Sequence, residues 1–125
     1  MARVAIVRIG EMLIASVQEE LYDRDAVELQ SALAAALDRS GARGVLLDVS
    51  VVETVDSYLG RMLNDLALSA RLLGAETVVA GIQPAVAITL VELGLELRGI
   101  RTALDAEKGL ALLRRLIARA RRLGY

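Results

Sequence analysis

The sequence predicts an α/β fold, a single domain in which a small mixed β-sheet is covered by about four helices. Two observations carry that prediction. Short β-like runs alternate with stretches of helical periodicity along nearly the whole chain, the order that places helices on the faces of a sheet. Glycines mark most of the element ends, and an aspartate or a proline stands at the later helix starts.

The elements follow in order. Arg3 to Ile9 alternates loosely, Gly10-Glu11 makes a turn, and Met12 to Val17 is a second β-like run, which together predict an N-terminal hairpin. A helix from about Asp25 to Arg39 comes next, because Ala26, Leu29, Leu33, Ala36 and Leu37 recur on one stripe; Ser40-Gly41 ends it. Gly44 to Val49 is a short apolar run of the kind buried in a sheet. Asp56 then stands as the N-cap of a second helix reaching Leu73 and closed by Gly74. Glu76 to Ala80 is another strand. Pro84 suits a first helical turn, and its helix stops at Gly94. A short strand near Arg101 to Leu104 leads through Asp105, a further N-cap candidate, into the last helix. No linker, low-complexity stretch or repeat intervenes, so residues 1–125 read as one domain.

Composition removes whole classes of function. With no cysteine there is no disulfide and no thiolate metal site, which fits a reducing cytoplasm. The absence of histidine removes the usual zinc, copper and iron ligand sets, and no Asp-rich calcium loop is present, so no metal or other cofactor is expected. The longest uncharged run, Thr77 to Val91, contains Gly81 and Pro84 and falls short of the ~20 residues a spanning helix needs. With Arg3, Arg8 and Glu11 among its apolar residues the N-terminus does not read as a signal peptide, and no membrane contact is expected. A net charge of −1 and only three tyrosines leave little to attract or stack nucleic acid. Arg114, Arg115, Arg119, Arg121 and Arg122 crowd the last turns; they read first as a solvated helix face complementing the helix dipole, and second as a nucleic-acid contact.

The second helix holds the main candidate. At roughly 100° per residue, Leu59, Met62, Leu63, Leu66, Ala70 and Leu73 share one sector and must face the core. Ser57 falls nearly opposite, with Arg61, Asn64, Leu68 and Arg71 on its side. A hydroxyl at a helix N-terminus with an arginine four residues on suits a phosphate, because unpaired N–H groups and the dipole both favour an anion. Taken alone, however, Asp56-Ser57 reads more readily as a capping pair. Thr89, in the narrow polar sector of the Pro84 helix, is a second candidate, and by itself an ordinary exposed threonine. That helix is too apolar for a surface helix, and Ile88 and Val91 lie off its core side, which points to a subunit or partner contact. Catalysis lacks its parts: Ser57 has no histidine base, Lys108 is the single lysine, and neither a GxxxxGK[ST] loop nor a GxGxxG fingerprint occurs. Asp48, Glu53, Asp56 and Asp65 are the carboxylates left to pair, and Asp48 and Asp56 sit where structural aspartates usually sit.

The element order and the segments TVDSYLGRMLNDL and AGIQPAVAITLVELGL resemble a STAS domain, the fold of anti-sigma-factor antagonists, over nearly the whole chain. Within that family the similarity is to the RsbS-type scaffolds of the bacterial stressosome. The resemblance implies that Ser57 is phosphorylated by an RsbT-type serine kinase, which the scaffold binds beforehand and releases afterwards. It further implies resetting by an RsbX-type phosphatase, and association with an RsbR-type STAS paralogue in dimers and a large assembly. Thr89 matches a second phosphosite of RsbR-type paralogues. Those carry an N-terminal sensor domain, whereas this sequence begins directly with a strand, which favours the RsbS type. Asp56, Arg61, Asn64 and Leu68 then form the expected docking face, Asp56 as either cap or recognition signal. Simple antagonists that bind an anti-sigma kinase one-to-one tend to follow Asp-Ser with Ser-Gly. Here Tyr58-Leu59-Gly60 follow, so that simpler role is the alternative.

Overall fold

A computed structural model describes residues 4–17, 23–97 and 99–124; Arg3, the predicted start of the first strand, lies outside them. The elements run β1 (Val4–Ile9), β2 (Met12–Val17), α1 (Asp23–Ser40), β3 (Gly44–Asp48), α2 (Ser57–Leu72), β4 (Glu76–Ala80), α3 (Pro84–Glu92), β5 (Arg101–Ala103) and α4 (Ala106–Arg122). The strands form one sheet in the order β1-β2-β3-β4-β5. The hairpin pair β1–β2 is antiparallel, from Val4↔Val17 to Ile9↔Met12. Every later pair is parallel, as connections through helices require. The predicted mixed α/β fold is therefore the one found.

Alternation along the central strands divides the core into two layers. Val45 and Leu47 of β3 point with Val79 into a layer closed by α1 and α2, while Leu46 points with Val78 and Ala80 towards α4. Because both faces are covered, the GVLLD run is apolar throughout instead of alternating with polar residues. All five stripe residues of α1 are buried in the first layer. Helix α4 lies close on the second: a Cβ at Gly109 would stand 2.6 Å from Leu46 Cδ1 and 3.3 Å from Ala80 Cβ. Its C-terminal arginines are exposed, and Arg121 pairs with Glu11 of the hairpin turn.

Two details depart from the periodicity argument. Leu73, placed in the core sector of the second helix, is 47% exposed. The helix ends at Leu72, and Leu73 is its C-cap at φ −94° and ψ 9°, so helical phase no longer governs where it points. Conversely, Gly60 and Ala67 are buried although they fall outside that sector, because α2 is packed on its flank as well as against the sheet. Among the described residues no helix is long and apolar enough to cross a membrane.

Candidate functional site

The parallel strands deliver their C-terminal ends to one pole, where the links to α2, α3 and α4 begin. Backbone bonds tie this pole together: Val49 N–H donates to Ala80 O at 3.0 Å and Gly81 N–H to Ala103 O at 3.1 Å. The Gln83 side-chain amide donates to Ser50 O at 2.7 Å, fastening the start of α3 to the link before α2.

Ser57 is the first residue of α2. Asp56 caps the helix as predicted, its Oδ1 accepting from Leu59 N–H at 2.9 Å, with extended backbone at φ −118° and ψ 178°. Arg61 Nη2 reaches the Ser57 hydroxyl oxygen at 3.4 Å, a long contact that sets the guanidinium one turn above the hydroxyl. Ser57 itself is half-buried, not fully exposed as its phase alone implies. A helical wheel takes no account of the preceding link, whose Val52 is buried and whose Val55 packs on the core.

The remaining expected contact residues spread along the same helix. Arg61 and Leu68 are exposed, Leu68 by 59%. Asn64 is half-buried, and its side-chain amide donates to Glu96 O at 2.8 Å, so it holds the segment after α3 against α2. Between them lies a groove of about 460 Å³ lined by Asn64, Asp65, Leu68, Gly94, Leu95 and Glu96. Sequence reasoning marked Gly94 only as a helix end and did not set it, Leu95 and Glu96 opposite α2, because they come from 30 positions away.

Gly60 explains how α3 comes so near. A Cβ there would lie 2.3 Å from Leu95 Cδ1 and 3.3 Å from Leu90 Cδ2, so only a glycine lets these leucines reach the first turn of α2. Thr89 is on α3, next to Leu90, which touches Gly60. Its hydroxyl is half-buried and donates to Ala85 O at 2.9 Å, one turn back. Only Val86 and Leu90 of α3 are buried, whereas Ile88 and Val91 are 59% and 79% exposed, an unpartnered apolar face on the described molecule. No group of three or more carboxylates that could hold a metal ion occurs among the described residues.

This arrangement has the parts of a phosphoryl acceptor: a hydroxyl at the positive end of a helix, a guanidinium within reach, and neighbouring surface on which a second protein can rest. The residues that would make a nucleophile, a histidine or lysine base beside Ser57, do not occur in the sequence around it.

Comparison with known proteins gives four results. The family model for the STAS domain matches residues 3–107. A solved structure of RsbS from Moorella thermoacetica, carrying a serine-to-glutamate substitution, is 38% identical, with a TM-score of 0.80 over 94% of this chain and 99% of that one. A chain from a structure of the stressosome, a signal integration and transduction hub, is also 38% identical, with a TM-score of 0.77 over 90% of this chain and 97% of that one. Among curated sequences, the RsbT co-antagonist protein RsbRD of Bacillus subtilis (strain 168) is 37% identical over 67 residues. That match covers 54% of this chain and 24% of the relative, so the chain spans about a quarter of the length of the curated relatives it matches.

Proposed function

The chain belongs to the STAS-domain family, and from that premise we propose that it is a stressosome scaffold that holds an RsbT-type serine kinase until Ser57 is phosphorylated. The observation that carries this reading is the pairing of Ser57 with Arg61 at the capped start of α2, in a chain 38% identical to RsbS of Moorella thermoacetica over nearly its full length. An RsbR-type STAS paralogue and further copies of this chain share the assembly, and an RsbX-type phosphatase restores the hydroxyl.

In this reading the kinase docks over Ser57, Arg61 and Leu68 and brings its own ATP and base. The Ser57 hydroxyl oxygen attacks the γ-phosphorus, its proton passes to the kinase, and ADP leaves. The product carries about −1.5 to −2 charges where a neutral hydroxyl stood. Arg61 and the helix start compensate part of that charge, while the Asp56 carboxylate opposes it. Shifting a complex from 99% bound to 1% bound takes ~5.5 kcal/mol. A phosphate desolvated under the kinase is of the right order to supply it, since an incompletely paired buried charge costs several kcal/mol. One at the rim of the interface is not.

Ser57→Ala tests the release step. The variant is expected to fold normally and to co-elute with the kinase in the presence of ATP, whereas the wild-type complex dissociates. Dissociation of both would end the release model. Light scattering with the RsbR-type partner tests the scaffold separately: a chain that never enters a large particle would favour the simple one-to-one antagonist.

A further inference from the structure

We propose that the outer face of α4 is a docking surface for the phosphate backbone of a double-stranded nucleic acid. Among the described residues, every helical member of the second core layer comes from α4, through side chains such as Leu110, Leu113, Leu116 and Ile117. Its opposite face is therefore the outer surface on that side of the sheet. At roughly 100° per residue, Arg114, Arg115, Arg119, Arg121 and Arg122 fall within an arc of about 160° on that face, and all five are exposed. The row from Arg114 to Arg122 is roughly 12 Å long at 1.5 Å per residue.

Positive charge on this face is compensated only at its margins. At one edge of the arc Arg121 pairs with Glu11, and at the other Arg119 lines a cavity with Glu76. Between those edges stand Arg114, Arg115 and Arg122, which pair with no carboxylate of the described residues. Glu107, the last acidic residue of the chain, is seven positions before Arg114. That is roughly 10.5 Å along the helix, beyond the ~8 Å screening length at physiological salt. A polyanion approaching α4 meets this local charge, and the net charge of −1 is screened from it.

Two plainer roles leave part of the pattern over. Cations complement a helix dipole in the last turn only, which accounts for Arg119, Arg121 and Arg122 but not for Arg114 and Arg115. A face that serves solubility mixes both signs, and from residue 111 onward this one carries a single sign. What else the arc holds decides the occupant. Its apolar members there are Ala111 and Ala118, while the exposed Leu123 is the C-cap and lies past the edge. It thus lacks the aromatic or large aliphatic anchor that the core of a protein–protein interface needs. Nor does it carry an aromatic ring on which the bases of a single strand could stack. Guanidinium forks in a rigid row suit phosphodiester oxygens. A DNA duplex presents one charge per about 1.7 Å of its axis, about seven along the length of this row.

A fixed helix face without a base-stacking group meets a duplex by its backbone, so the contact is expected to be independent of sequence and steeply dependent on salt.

Fluorescence anisotropy tests the surface, with the full chain titrated into a labelled random-sequence duplex of about 20 base pairs at about 50 to 200 mM NaCl. Three to four phosphate contacts are expected to give log K against log salt a slope of about −3, a loss of about 10²-fold over that range. Arg114→Gln combined with Arg122→Gln should bring the slope to about −1 with unchanged circular dichroism. Arg39→Gln, at an exposed position in the last turn of α1, should leave it unchanged. A single strand of the same length should bind several-fold more weakly, and poly-L-glutamate at equal charge should not displace the duplex. DNA and RNA duplexes share this chemistry, and their relative affinities identify the source. No anisotropy change with either duplex at the lowest salt overturns the proposal, as does a single strand that binds equally well. An equal effect of Arg39→Gln would show diffuse attraction in place of a surface and overturn it too. Displacement by poly-L-glutamate would do the same, by assigning the face to an acidic protein.

Discussion

Replacing Asp56 separates two roles that coincide in one carboxylate. Asp56→Ala removes the 2.9 Å bond from Leu59 N–H and leaves an orphan donor at the start of α2, while the backbone bond from Gly60 N–H to Asp56 O survives. Loss of an aspartate cap costs about 1 kcal/mol, within a range of ~0.5–2. The missing charge at the positive helix end adds about 0.3–1 kcal/mol. For a chain of this size 1 kcal/mol lowers Tm by about 4 °C, so the expected fall is about 6 °C. Asp56→Asn retains an oxygen acceptor and forfeits only the charge, which predicts a fall of about 1–4 °C. Thermal denaturation followed by circular dichroism at 222 nm measures both. An alanine variant melting within 1 °C of wild type would refute the capping argument and the reading of the helix start built on it. The asparagine variant then isolates recognition. Its phosphorylation by the kinase is expected to slow while its fold stays intact, and an unchanged rate would remove Asp56 from the recognised surface.

The other predictions concern packing and docking. Gly109→Ala is expected to destabilise by about 1 kcal/mol, because overpacking of ~1–3 kcal/mol exceeds a helix-propensity gain of at most ~1; Leu46, which the new methyl would strike, is fully buried. A rise in the urea midpoint would contradict the close approach of α4 to the sheet. Leu68→Glu should stay within about 0.5 kcal/mol of wild-type stability, as surface changes do, yet lose at least about tenfold in kinase affinity; retained affinity would move the docking face elsewhere. Val91→Glu should likewise melt normally but fail to enter large particles in light scattering. Undisturbed assembly would mean that the apolar face of α3 covers nothing in the complex.

The fold was legible in the sequence because its signals are short-range. A cap acts over three residues, a strand alternates over two, and a glycine ends a helix where it stands. The predicted strands Glu76–Ala80 and Gly44–Val49 agree with the structure to within a residue, and Asp56 and Asp105 both accept from the amide three positions on. Helical phase also carried Ser57, Arg61 and Leu68 to one side of α2, since only the helix itself is needed for that. Helical phase stops deciding a side chain's surroundings where a second element enters. Asn64, which shares that side by phase, spends its amide on Glu96, and Ser57 is half-buried beside the link before the helix.

Local sequence patterns therefore specified the elements, most of their ends to within a residue or two, and the candidate hydroxyl. Tertiary structure alone decided what those elements bring together. Gly60 has no packing role in the sequence until Leu90 and Leu95, thirty and thirty-five positions later, are found against it. Arg43, Arg71, Arg101 and Arg119 are unrelated positions in the chain, and two of them look like ordinary helix-end arginines. They line two adjoining cavities because parallel strands all start at one pole, to which the intervening helices run back. Local propensity encodes each segment, but only the crossing of the chain over itself sets which charges meet.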